Sequence, residues 1–153
     1  MRKLIYLTFV ILFFSQSAYA LVTVDITRGN LNPLPIAVSP LYVESASKKI
    51  IDNLDLGSEI SRLIGVNFKR SGLFNPLNKE SFVQKPDIAH LKPRFEDWRL
   101  IKAQALITGK VLVNDEKLRV EFRLWDVVAA KEMLALAFTT VPSNWRRVAH
   151  IIS

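Results

Sequence analysis

At 153 residues and 50% apolar composition, the chain is long enough for one domain with its own core and too short for two of ordinary size. It contains no Cys, so packing rather than disulfides must carry its stability. The net charge of +7 could suggest nucleic acid, but the positive residues are scattered; Lys48-Lys49, Lys69-Arg70 and Arg146-Arg147 are separate pairs that suit solvated faces.

The first element is an export signal. Arg2 and Lys3 form a basic start, Leu4 to Phe14 is apolar apart from Thr8, and Ala18-Tyr19-Ala20 gives the small-x-small pattern of a cleavage site. An uncleaved anchor is the alternative, but the apolar run falls short of the roughly 20 residues a spanning helix needs. The mature chain is therefore expected to begin at Leu21, periplasmic and without stable membrane insertion. Removing the signal lowers the charge to about +5 and the mean hydropathy below +0.19, and an exported chain has no nucleic-acid partner.

Leu21 to Thr27 is β-branched and partly alternating, which predicts a strand, and Arg28 to Pro33 reads as a loop. Pro35 to Val38 is a short buried strand closed by Ser39-Pro40. A helix follows between Asp55 and Ser71. Asp55 caps it, Leu56, Ile60, Leu63, Ile64 and Phe68 share one face, Lys69 and Arg70 complement its dipole, and Gly72 ends it in a left-handed conformation. Gly65 costs this helix about 1 kcal/mol relative to Ala, and a close approach to a strand would explain it.

From Leu73 to Pro93 the chain reads as a surface connection with at most short structured pieces. Phe95 to Ile101 forms a short helix carrying Trp98, and Ala103 to Val113 a strand. After a polar turn at Asn114 to Lys117, Leu118, Val120, Phe122 and Leu124 alternate with Arg119, Glu121 and Arg123, so one face is buried and one wet. Trp125 interrupts the polar side, as an exposed or edge-covering aromatic does. Beyond a turn near Ala129 to Lys131, Leu134, Leu136 and Phe138 recur at period two, completing an antiparallel meander. Ser143 is expected to cap a last helix from Asn144. That helix holds Trp145, Val148, Ala149, Ile151 and Ile152 and meets the end of the sequence without a breaker, which suggests an element cut short.

Several blocks along this order resemble the N-terminal domain of the TolB family of the bacterial Tol-Pal envelope system. They are Val24 to Gly29, Pro33 to Val38, Arg70 to Phe74 with Pro76-Leu77, Trp98 with Ala103 to Gly109, Leu118 to Val127, and Trp145 to His150. The resemblance implies an α/β (α+β) fold: a mixed, about five-stranded sheet with two main helices, similar to the anticodon-binding domain of class II aminoacyl-tRNA synthetases. It divides the chain into a signal peptide (1–20), a mobile strand and loop (21–32) and the α/β domain (33–153). It also implies that Leu21, Val22, Thr23, Val24, Asp25, Ile26, Thr27 and Arg28 bind the C-terminal domain of TolA, during outer-membrane invagination in cell division and in envelope integrity. In the family a six-bladed propeller follows and binds Pal; that propeller is absent from this sequence, which reads as truncated, and the main Pal-binding surface is absent with it. Ser39-Pro40-Leu41 departs from the family pattern, and Lys102 stands where a Gly is usual; both look like loop variation.

The N-terminal strand also has a purely physical reading. A β-prone segment at a free end can add to a sheet edge through its ladder hydrogen bonds, with Val22, Val24 and Ile26 filling pockets, although an ordinary intramolecular edge strand has the same pattern. Catalytic chemistry has little support. His90 and His150 have no metal-ligand spacing, no phosphate loop or nucleophile elbow occurs, and Asp52, Asp55 and Glu59 lie near helix starts where dipole compensation explains them. No cofactor is implied. The alternatives to a non-enzymatic Tol-Pal module are a stand-alone periplasmic domain that binds a small ligand or glycan through exposed aromatics, and a non-functional fragment of a split gene.

Overall fold

The computed structural model describes residues 32–44, 55–114 and 116–153. Strand β1 (Leu34–Val38) lies between β3 (Phe74–Pro76) and β4 (Ala105–Val113), parallel to both. β5 (Leu118–Asp126) and β6 (Lys131–Thr140) continue antiparallel from β4, so the sheet order is β3-β1-β4-β5-β6. A two-residue strand, β2 (Tyr42–Val43), pairs with β4 beyond β1. The expected mixed sheet is present, with β2 as a sixth strand and the meander where the alternation placed it.

β1 and β2 are in effect one strand with an interruption. Val38 pairs with Ile107 and Tyr42 with Lys110, so Ser39, Pro40 and Leu41 face only Thr108 and Gly109. The extra residue bends the strand and takes backbone groups out of the ladder, as a bulge does. Helix α1 (Leu56–Ser71) satisfies them. The Leu41 N–H donates to the Gly57 carbonyl (3.2 Å) and the Ser61 hydroxyl (3.1 Å), and the hydroxyl lies within reach of the Ser39 (2.9 Å) and Gly57 (2.6 Å) carbonyls. The approach is so close that a Cβ at Gly57 would sit 2.0 Å from the Leu41 oxygen. The close approach expected at Gly65 is therefore made one turn pair earlier, at Gly57; a Cβ at Gly65 would meet only Pro76, at 3.9 Å.

α1 otherwise follows its sequence. The Asp55 carboxylate accepts from the Ser58 N–H (3.2 Å) and hydroxyl (2.7 Å), and Gly72 closes the helix at φ 72°. Leu56, Ile60, Ile64 and Phe68 are buried against the face of the sheet formed by Ile36, Val38, Ile107, Val111 and Val120. The last helix, α4 (Trp145–Ile152), covers the same face with Trp145, Val148 and Ala149. Ser143 is not its cap; Pro142–Asn144 make a 3-10 turn and Asn144 precedes the helix without a side-chain cap. Asn67 of α1 links the two helices, its amide 2.9 Å from His150 Nδ1 and 2.7 Å from the Ser153 hydroxyl.

The segment after Gly72 is more than a surface connection. It contributes the edge strand β3, a 3-10 turn (Lys79–Ser81) and α2 (Pro86–Ala89), and with α3 (Phe95–Leu100) it builds a second core on the opposite face. Trp98 is 1% exposed at its centre and donates its indole N–H to the buried Gln84 (3.1 Å), whose amide reaches Asp97 (3.1 Å) and the Arg94 carbonyl (3.3 Å). Trp125 belongs to this core too. Rather than an exposed aromatic, it is buried edge-on to Phe95 and donates to the Thr108 hydroxyl at 2.8 Å.

Lys102 is not ordinary loop variation. Its φ is 61°, while its N–H bonds to the Arg99 carbonyl and the Ala103 N–H to the Trp98 carbonyl. That is a Schellman termination with Lys102 in the left-handed position, which a Cβ disfavours and Gly fills without strain.

Candidate interaction surface

Leu21 to Arg28, the residues expected to bind a partner, and Ala18, Ala20 and Leu21 at the expected cleavage site lie outside the described residues. The described structure brings none of them to a site. It shows the sheet that follows them and what that sheet leaves uncovered.

On the face bearing the second core, α2 and α3 pack on β1 and the near ends of β4 and β5, and the far part of the meander carries charges. Glu121 is central there. It accepts from Arg119 on its own strand (2.8 Å) and meets Lys110, its partner across the ladder, at 3.4 Å. Arg119 hydrogen-bonds and holds the Glu121 carboxyl below its ordinary value of 4.5; partial desolvation opposes this and Lys110 adds to it. Arg123 bridges to Glu132 (3.3 Å) and donates to the His90 carbonyl (2.9 Å), tying α2 to the strand. These pairs are solvated, so their worth is in orientation more than in stability.

The histidines are structural. The His90 ring stacks on Tyr42 (4.5 Å between centroids, 9° between planes), and its Nδ1 lies 3.0 Å from the Pro86 carbonyl. A carbonyl only accepts, so Nδ1 is the donor in this contact. His150 serves the contact between α1 and α4. Among the described residues no group of three or more His, Asp or Glu is placed to hold a metal ion, and no helix is long and apolar enough to cross a membrane. All three tryptophans are buried, and Arg146 lies over Trp145 at 4.3 Å. Lys69, Arg70, Arg146 and Arg147 are exposed, as a solvated reading requires. The clefts are open; one of 480 Å³ is bounded by Pro40 to Val43, Asp55, Ser58 and Lys85 to Asp87.

The surface that sequence reasoning missed is β6. Leu134 and Leu136 point to the same face as Leu124 and Phe122, yet they are 42% and 45% exposed. Period-two spacing identifies a face and says nothing about what covers it. The only hint in the sequence is that Leu134 to Val141 contains no charge, Pro or Gly.

The fold defines the class: an α+β domain with a βαβ unit on one side of a mixed sheet, a meander on the other, and a core on each face. Residues 22–133 match the family described as the TolB amino-terminal domain, and the chain belongs to that family. Over 152 residues it is 66% identical to the Tol-Pal system protein TolB of Pelagibacter ubique (strain HTCC1062). That match takes in 97% of this chain and 34% of the relative, so the chain spans about a third of the relative's length. Among solved structures, TolB from Acinetobacter baumannii superposes with a TM-score of 0.61 at 17% identity, over 79% of this chain and 26% of that one. The lipoprotein GNA1162 from Neisseria meningitidis reaches 0.51 at 15% identity, over 78% of this chain and 94% of its own. These last two likenesses concern the fold alone.

Proposed function

We propose that this chain is a non-enzymatic, periplasmic interaction module of the Tol-Pal system that binds the C-terminal domain of TolA through Leu21 to Arg28. The reading rests on one observation above the others: 66% identity to a Tol-Pal system protein over nearly the whole chain. Cleavage after Ala20 frees Leu21 as a new N-terminus. The segment then adds as a strand to the partner's sheet, where backbone ladder bonds give affinity and Val22, Val24 and Ile26 give register. Its role is in outer-membrane invagination at division and in envelope integrity. The glycan alternative loses its platform, since Trp98, Trp125 and Trp145 are all buried.

Calorimetric titration of the chain from Leu21 onward with the TolA C-terminal domain, repeated without Leu21 to Arg28, tests the proposal. Binding in the micromolar range, about −8 kcal/mol, that disappears on trimming supports it. Absence of binding by a sample shown to be folded refutes it.

A further inference from the structure

The two edges of the sheet are built differently. The β3 edge is three residues long and ends at Pro76, so it offers little to a further strand. β6 is ten residues long, and among the described residues nothing pairs with its outer side. Edge strands are ordinarily blunted by charges, prolines or bulges. β6 has such features only at its start, where Lys131 and Glu132 precede a register shift opposite Leu124 and Trp125. From Leu134 to Val141 it has none.

The residues of this edge complement themselves. We propose that β6 pairs antiparallel with β6 of a second copy, about a two-fold axis through Leu136, joining two sheets into one. In this register Leu136 faces Leu136 of the second copy, Leu134 faces its Phe138, and Ala135 faces its Ala137. Large apolar groups then meet on one face and small ones on the other. No like charges are opposed, because Glu132 lies across from Thr140. α4 adds to the contact. Ile151, 53% exposed, borders the same groove as Phe138 and Val148, so each copy's α4 approaches the other's Leu134. Both leucines, nearly half exposed in one chain, become covered.

Size sets the strength. Leu134 to Phe138 extends roughly 17 Å, and even with Ile151 the interface falls near or below the approximately 1,200 Å² lower bound of stable complexes. The dimer is therefore weak and forms with rising concentration.

Sedimentation velocity of the exported chain from about 1 µM to about 1 mM tests this. The expected result is a shift from monomer to dimer across that range. Leu136→Lys and Leu136→Glu each place like charges on the axis, so each chain alone should stay monomeric, while an equimolar mixture should dimerise. Near-UV circular dichroism checks that both remain folded, as a half-exposed position allows. Since the chain has no Cys, Leu136→Cys provides a separate reading: mild oxidation should link two copies through it, and Val128→Cys should remain unlinked. A monomer at every concentration would overturn the proposal and leave the edge to a different polypeptide. So would a dimer that survives both charge substitutions, or equal cross-linking at the two Cys positions.

Discussion

Gly57 and Gly65 lie on the same helix, two turns apart, and the same substitution should have opposite effects at the two. A methyl group at position 57 would lie 2.0 Å from the Leu41 carbonyl oxygen and 2.9 Å from a Val43 methyl. The first contact is with backbone, so relief requires α1 to withdraw from the strand by more than an ångström. Withdrawal stretches the Leu41 N–H bonds to Gly57 and Ser61 and leaves a buried donor short of partners. Overpacking of this kind costs about 1–3 kcal/mol, and a buried group left unsatisfied costs about 1–3 kcal/mol more. Gly57→Ala should therefore lose at least about 2 kcal/mol, a large part of a marginal domain's stability. At Gly65 the methyl reaches ordinary contact with Pro76 at 3.9 Å, so Gly65→Ala should keep its helix-propensity gain of up to about 1 kcal/mol. Urea unfolding measures both, with midpoints moving in opposite directions and slopes unchanged. A loss below about 1 kcal/mol at Gly57, or shifts of the same sign at both positions, would refute the argument that α1 is seated on the strand interruption through Gly57.

Four further outcomes follow from the same geometry. Lys102→Gly should raise stability by about 1 kcal/mol by removing a Cβ from a left-handed position, seen as a higher midpoint in thermal melts. Ser61→Ala should cost about 1–3 kcal/mol, because the Leu41 N–H loses one acceptor in a buried site; Ser61→Thr retains the hydroxyl and separates its loss from a general packing effect. Trp125→Phe should cost about 1 kcal/mol or more by leaving the buried Thr108 hydroxyl without its donor, with unchanged far-UV dichroism. Because the carboxyl of Glu121 is held below 4.5 when folded, its contribution is present above that value and is lost as pH falls through the folded pKa. Glu121→Gln should therefore lower the neutral plateau slightly and flatten the acid limb of a stability–pH curve, the two curves converging at low pH; an unaltered acid limb would exclude the Arg119 contact as its cause.

Much of the domain was legible in the sequence because it rests on local rules. Asp55, the apolar stripe of α1 and Gly72 specify where that helix starts, which face it buries and where it stops, and the structure agrees at each end. The alternation through Leu118 to Leu124 likewise specifies a two-faced strand. Local rules also explain the misses. Ser143 looks like a cap, but Pro142 draws it into a 3-10 turn. Leu73 to Pro93 has no periodicity, because its pieces are held by single long-range contacts such as Gln84 to Trp98. The expected partner-binding residues rest on family membership and on β-strand character, and the described structure adds nothing to them.

The sequence by itself determined the compartment expectation, the main helix, the meander and the family, since each follows from neighbouring side chains or from an ordered series of blocks. Only the tertiary structure decided which glycine carries the close approach, which face Trp125 occupies, why a Gly belongs at position 102, and that the apolar row of β6 lies open. Each of these depends on what another segment places opposite. A residue spacing identifies a face, and the chain that covers that face, or fails to, is known only once the strands are paired.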